Sequence, residues 1–66
     1  MTIQLNGAER LVRPGTTVRD LLDELGLESR GIAVALDHVI VPRSAWAATV
    51  VAVGARVDVV TAMQGG

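Results

Sequence analysis

One amphipathic helix stands in a chain that otherwise reads as short strands, and that imbalance decides what the chain can fold into. Val18, Leu21, Leu22 and Leu25 fall at i, i+3, i+4 and i+7, which makes one apolar stripe. Arg19, Asp20, Asp23 and Glu24 cover the opposite side. Thr17 stands where an N-cap is needed, with Asp20 three residues on as the short acid of a capping box. Gly26 suits the left-handed position that stops a helix. The spacing predicts a helix of about nine residues.

A single stripe must be buried against something else, and the flanking segments supply strands. Ile3 and Leu5 alternate with Thr2, Gln4 and Asn6, the period-two pattern of a half-buried strand. Asn6-Gly7 is a strong hairpin signal, because both residues tolerate the positive φ of a type I′ turn. The return strand is expected from about Ala8 to Arg13, ended by Pro14-Gly15. Beyond the helix, Ile32-Ala33-Val34-Ala35-Leu36 is apolar throughout, which predicts a central strand buried on both faces. Asp37-His38 makes a tight turn into Val39-Ile40-Val41, Pro42 ends that piece, and Arg43 to Ala48 suits one short helical turn carrying Trp46. Thr49 to Val53 is apolar without a decisive period, and Arg56 to Thr61 alternates as a last strand.

That order predicts an α+β fold of two layers. Its topology is the ubiquitin-like β-grasp: a mixed sheet of four to five strands, one main helix across one face, and the last strand beside the first. Residues 1–61 are expected to form the domain, and 62–66 a flexible C-terminal tail.

Size and composition exclude much else. A chain of 66 residues makes one domain and, at that size, buries only about 60 % of its unfolded surface. It has no Cys, and the lone His38 cannot build a zinc site, which needs three or four ligands. The apolar half of the chain must therefore hold it together. A net charge of -1 and a pI near 5.6 argue against a nucleic-acid or anionic-membrane partner. With Trp46 as the sole aromatic there is no stacking platform for single strands. The first residues show neither a basic n-region nor an apolar h-region, so no signal peptide is expected. The longest apolar run, Ile32 to Leu36, is far short of the roughly 18 residues that span a bilayer. A cytoplasmic protein is the expectation.

No catalytic constellation stands out. His38 is expected as an exposed turn residue, Ser29 and Ser44 have no evident base beside them, and the seven carboxylates are scattered. Gly15 and Gly31 are isolated, unlike the clustered glycines of a phosphate cradle. The chain is therefore not expected to be an enzyme by itself, and no bound cofactor or metal is expected. All six basic residues are Arg, so no lysine is present to accept an acyl group from the chain's own terminus.

The feature left over is Gly65-Gly66 after the last strand. A C-terminal carboxylate is a poor electrophile, so it carries a group only after another enzyme has converted it to an acyl-adenylate with ATP. Five extended residues reach roughly 17 Å, enough to thread from a globular body into a closed site. Glycine has no Cβ, so a narrow channel admits it and its carbonyl is open to attack.

With these features in place, the chain resembles the sulfur carrier protein of thiamine biosynthesis, the ThiS family, over its full length. The residues that carry the resemblance are Gln4-Leu5-Asn6-Gly7, Thr16-Thr17-Val18-Arg19-Asp20-Leu21-Leu22 and Ala33-Val34-Ala35-Leu36. More diagnostic are Ile40-Val41-Pro42-Arg43-Ser44-Ala45-Trp46, similar to the family's I-V-P-R-x-x-W segment, and the terminal Gly65-Gly66. Gln64 stands where family members often carry Ala.

The resemblance implies that Gly66 is adenylated by an E1-like activating enzyme and converted to a thiocarboxylate. A sulfur donor protein supplies the sulfur, which passes to thiazole synthase for the thiazole ring. Gly65 and Gln64 would occupy the partners' channels. Val60, Met63 and Arg43 are the expected partner contacts, with a solvated charge as the alternative for Arg43. Trp46 is expected to plug the core rather than to touch a partner. The apolar excess in Val50, Val51, Val53, Val57, Val59 and Val60 predicts either a sheet covered on both faces or an exposed patch that serves as an interface. Rival readings are a molybdopterin-synthase-type small subunit, a ubiquitin-like protein modifier, and a nucleotide-linked accessory domain.

Overall fold

A computed structural model describes residues 1–27 and 31–61. Strand β1 (Thr2–Leu5) and strand β2 (Ala8–Leu11) precede helix α1 (Val18–Glu24). Strands β3 (Ile32–Leu36) and β4 (Val39–Val41), a 3₁₀ helix (Arg43–Ala48) and strand β5 (Arg56–Thr61) follow. The strands form one sheet in the order β2-β1-β5-β3-β4. Only the β1–β5 pairing is parallel, so the last strand lies beside the first in a mixed β-grasp sheet.

The helix is held at both ends by the groups its sequence supplies. Thr17 Oγ1 accepts from the Asp20 N–H at 3.1 Å, and Asp20 Oδ2 accepts from the Thr17 N–H at 3.2 Å, completing the capping box. At the other end the Leu27 N–H donates to Leu22 O and the Gly26 N–H to Asp23 O, both at 3.1 Å, with Gly26 at φ +70°. This is a Schellman closure. It makes Leu25 the cap, so α1 has seven residues where the periodicity predicts about nine.

Ile3, Val34 and Val57 from the sheet meet Val18, Leu21 and Leu22 from α1 in one core. Trp46 joins them. It is 2 % exposed, and its indole N–H donates to Val41 O at 2.9 Å, so the ring is buried with its one polar atom satisfied. The core plug expected of Trp46 is what the structure shows. The stretch from Thr49 to Val53, ambiguous in sequence, is a connection sewn onto the helix entry. The Val18 N–H donates to Thr49 O and the Val51 N–H to Thr16 O, while Val51 drops into the core.

Two expectations need correction. β3 is not buried on both faces: Ile32, Val34 and Leu36 point toward the core, but Ala33 is exposed and Ala35 only half-buried. The central strand of the sheet is β5, with β3 one place further out. One helix and one 3₁₀ turn cover one face only, and alanine on the other face hides that in the sequence. The regular part of β2 also stops at Leu11 rather than Arg13. Val12 still exchanges hydrogen bonds with Met1, but the Arg13 carbonyl turns to accept from the Thr16 N–H and hydroxyl.

Two turn residues finish the pairing of β5. Asn6 and Asp37 both lie at φ +49°, the first residues of the two I′-type turns. At that φ the chain swings away from the sheet, and the side chain supplies the acceptor that the backbone no longer offers. Asn6 Oδ1 accepts from the Val59 N–H at 2.7 Å, and Asp37 Oδ1 accepts from the Arg56 N–H at 2.9 Å. The two side chains thus act as last rungs on opposite edges of the central strand.

Leu22→Ala is expected to destabilise the domain by about 2–5 kcal/mol in denaturant unfolding, because the cavity opens at the centre of a small core. Leu11→Ala, at a side chain 77 % exposed, should change stability by no more than about 0.5 kcal/mol. Asn6→Ala is expected to cost about 1 kcal/mol and to speed amide exchange at Val59 more than elsewhere in β5.

Candidate functional site

The face of the sheet without a helix carries one of the expected contact residues, Val60. Side chains alternate along each strand, and residues paired across strands point the same way. Val60 pairs with Ala33, and Ala35 with Ile40, so these four share the outer face. Val60 is 60 % exposed and Ile40 66 %, and the two alanines between them leave the patch shallow. Small apolar residues flanked by large exposed ones make a surface that another protein can cover.

Along β5 the outer face changes character toward its C-terminal end. Arg56 and Asp58 come first and form an ion pair, Arg56 Nε to Asp58 Oδ2 at 3.1 Å. Such an exposed pair contributes little to stability. Val60 comes next, and Ala62 follows Thr61 directly in sequence. Val60 and its partner Ala33 therefore sit at the end of β5 from which residues 62–66 continue, while Ala35 and Ile40 lie level with Asp58.

Arg43 stands at the same end of the sheet. β4 runs antiparallel to β3, with Val41 opposite Val34, so the chain beyond Val41 passes the start of β3. The start of β3 is also where β5 finishes, since Ile32 pairs with Thr61. Arg43 is exposed at the first position of the 3₁₀ helix. The topology thus brings Val60 and Arg43, far apart in sequence, to one end of the sheet. Met63, Gln64, Gly65 and Gly66, the remaining expected site residues, lie outside the described residues.

The valine-rich excess resolves unevenly. Val51 and Val57 are buried and Val59 half-buried, whereas Val50, Val53 and Val60 are exposed. Of these only Val60 belongs to the sheet's outer face. Sequence reasoning singled out Val60 but missed its neighbours Ala33, Ala35 and Ile40, because they join the patch only through cross-strand register. It also read Asn6 and Asp37 only as turn formers. The signal for their second role was their type, since Asn and Asp carry an acceptor short enough to replace a backbone carbonyl.

His38 is exposed at a tight turn, at φ +70°. Asp20, Asp23 and Glu24 are exposed on α1. Among the described residues no group of three or more His, Cys, Asp or Glu is placed to hold a metal ion, and no helix is long and apolar enough to cross a membrane.

Known proteins resemble the chain in both sequence and structure. The model of the ThiS family matches residues 3–66. A thiazole synthase from Paramagnetospirillum magneticum (strain ATCC 700264 / AMB-1) is 39% identical over 66 residues, which are 100% of this chain and 20% of that protein. The chain thus spans about one fifth of the length of that curated relative. The crystal structure of the thiamine biosynthesis protein (ThiS) from Geobacter metallireducens superposes with a TM-score of 0.84 at 29% identity, covering 100% of both chains. On the match of all but its first two residues, this chain belongs to the ThiS family.

Proposed function

We propose that the chain is a sulfur carrier that acts through a thiocarboxylate on Gly66. The observation that carries the reading is the family match, which runs from Ile3 through Gly66 and so includes the diglycine. The chemistry follows from that group. The Gly66 carboxylate attacks the α-phosphorus of ATP on an adenylating enzyme, forming a mixed anhydride and releasing pyrophosphate. Hydrosulfide, or its equivalent from a sulfur donor protein, then attacks the Gly66 carbonyl and expels AMP. The thiocarboxylate left behind is the sulfur source for thiazole synthase. ATP is consumed by the partner enzyme rather than held by the carrier, which acts as a cosubstrate in the cytoplasm.

The identity of the recipient draws support from the Paramagnetospirillum magneticum relative. In that protein, named thiazole synthase, a stretch similar to this whole chain belongs to a longer polypeptide. Joining a carrier-like stretch to an enzyme of that name is the arrangement expected if the two work together.

In this reading the outer-face patch of Val60, Ala33, Ala35 and Ile40 docks the adenylating enzyme and then thiazole synthase. Arg43 and Met63 flank the contact, and Gln64 and Gly65 pass through each enzyme's channel. One patch serving two enzymes makes the two engagements mutually exclusive, so the carrier must leave one before it meets the other.

Incubating the chain with ATP, a sulfide source and its host's adenylating enzyme should raise its intact mass by the exchange of one oxygen for sulfur, mapped to Gly66. Deleting Gly66, or adding a residue after it, should abolish that change with the fold intact. An unchanged mass, or ligation to a second protein, would overturn the carrier reading. Val60→Glu is expected to block both thiocarboxylate formation and transfer while shifting stability by no more than about 0.5 kcal/mol. Unimpaired formation and transfer in that variant would exclude the patch as the docking surface.

A further inference from the structure

The end of β5 presents an edge that no strand among the described residues covers. Backbone groups of a strand alternate between its two neighbours, and the hydrogen bonds at Arg56 and Val57 fix the phase here. The Asp37 N–H donates to Arg56 O at 2.8 Å, so Arg56, Asp58 and Val60 direct their N–H and C=O groups toward β3. Ala55, Val57, Val59 and Thr61 direct theirs toward β1: the Gln4 N–H donates to Ala55 O at 2.9 Å and the Asn6 N–H to Val57 O at 2.8 Å. The next rung on that side is the Asn6 side chain on the Val59 N–H. There β1 ends, because Asn6-Gly7 turns the chain back into β2 on the far side of β1. The Val59 carbonyl and the Thr61 N–H and carbonyl therefore face a position that no strand among the described residues occupies.

The other sheet edges are protected, and this one is not. β2 carries Glu9 and Arg10 and is followed by Pro14, while β4 has three residues and is stopped by Pro42. Charges, brevity and proline are the usual means of keeping an edge from pairing. Val59-Val60-Thr61 has none of them. It is uncharged and wholly β-branched, which favours an extended, paired backbone. It also leads without interruption into residues 62–66, and its outward side chain, Val60, belongs to the apolar patch.

We propose that the β1-side edge of β5 at Val59–Thr61 is a strand-addition site, occupied by an extended segment of the adenylating enzyme that acts on Gly66. The inference rests on the sulfur-carrier reading. The incoming segment continues the line of β1 beyond Asn6. It donates an N–H to Val59 O, accepts the Thr61 N–H, and lays an apolar side chain against Val60. Main-chain pairing at this point aligns the residues after Thr61 with the enzyme before they enter its channel. Asn6 is a positioning residue in this scheme, because its carboxamide ends the internal ladder and leaves the next rung vacant.

Two experiments on the full chain test this. In the first, amide exchange is read by NMR on the isotope-labelled chain, alone and saturated with its host's adenylating enzyme. The Thr61 amide should exchange about tenfold or more slowly in the complex, while the Val60 amide, already directed at β3, changes far less. The second uses Thr61→Pro, which removes the outward N–H without touching the β3 ladder. Proline is tolerated where the missing N–H faces away from the sheet, and Val60 before it is already extended. Thr61→Pro should unfold at the same denaturant concentration as the native chain yet bind the enzyme about two- to tenfold more weakly, the effect of one lost rung. Thr61→Val, which keeps the N–H, should bind like the native chain. A Thr61 amide that exchanges equally fast in a complex competent for thiocarboxylate formation, or a Thr61→Pro chain that binds unimpaired, overturns strand addition and leaves the carrier reading standing. A native chain that the enzyme neither binds nor converts overturns both. Protection of Thr61 that grows with the concentration of the chain alone gives the edge to a second copy and overturns the enzyme as its occupant.

Discussion

Everything in this molecule depends on β5 being held at the centre of the sheet. It is the strand that joins β1 to β3, and without it the N-terminal hairpin and the β3–β4 hairpin would be separate pieces, each too small to be stable alone. β5 is also the strand that leads to the diglycine. A strand fixed on both edges along its first residues gives residues 62–66 a defined point of departure, which a loop would not. The side chains of Asn6 and Asp37 complete this anchoring from two turns more than thirty residues apart in sequence.

The core is small, and the fold uses its apolar residues on one face only. Trp46 shows how. A 3₁₀ helix of six residues buries little by itself, but it carries the largest side chain of the protein under the sheet and satisfies the indole N–H on Val41 O. α1 and this turn together close the inner face. On the outer face Val60 and Ile40, with the two alanines between them, stay exposed, Val60 at the end of β5 and Ile40 level with Asp58. An exposed apolar surplus of this kind is what an interface with another protein would cover.

Local signals in the sequence were reliable wherever one residue type has one physical consequence. The capping box at Thr17 and Asp20, the stop at Gly26, the turns at Asn6-Gly7 and Asp37-His38, and the 3₁₀ turn around Trp46 all stand where their residues predict. The errors came where several environments suit the same residues. Alanine is at home on a buried face or an open one, so Ala33 and Ala35 read as interior when they are not. Thr49 to Val53 has no decisive period, and its backbone hydrogen bonds go to the helix entry at Thr16 and Val18. Of the candidate site, the diglycine was legible as a motif and Val60 through the valine excess toward the end of the chain. Ala33, Ala35 and Ile40 were not, because each lies on a different strand or register position from Val60.

By itself the sequence determined the element order, the helix capping signals, the turn types and the family, since each depends on residues near one another or on a motif that runs along the chain. Tertiary structure alone decided that β5 rather than β3 is central, which alanines face outward, and that Val60 and Arg43 reach one end of the sheet. It also decided that Asn6 and Asp37 close the ladders of a strand far along the chain. The reason is physical: turns and caps are made by groups within a few residues, whereas strand order and register are chosen by burying one face of every strand at once. That choice is made between segments, and no single segment encodes it.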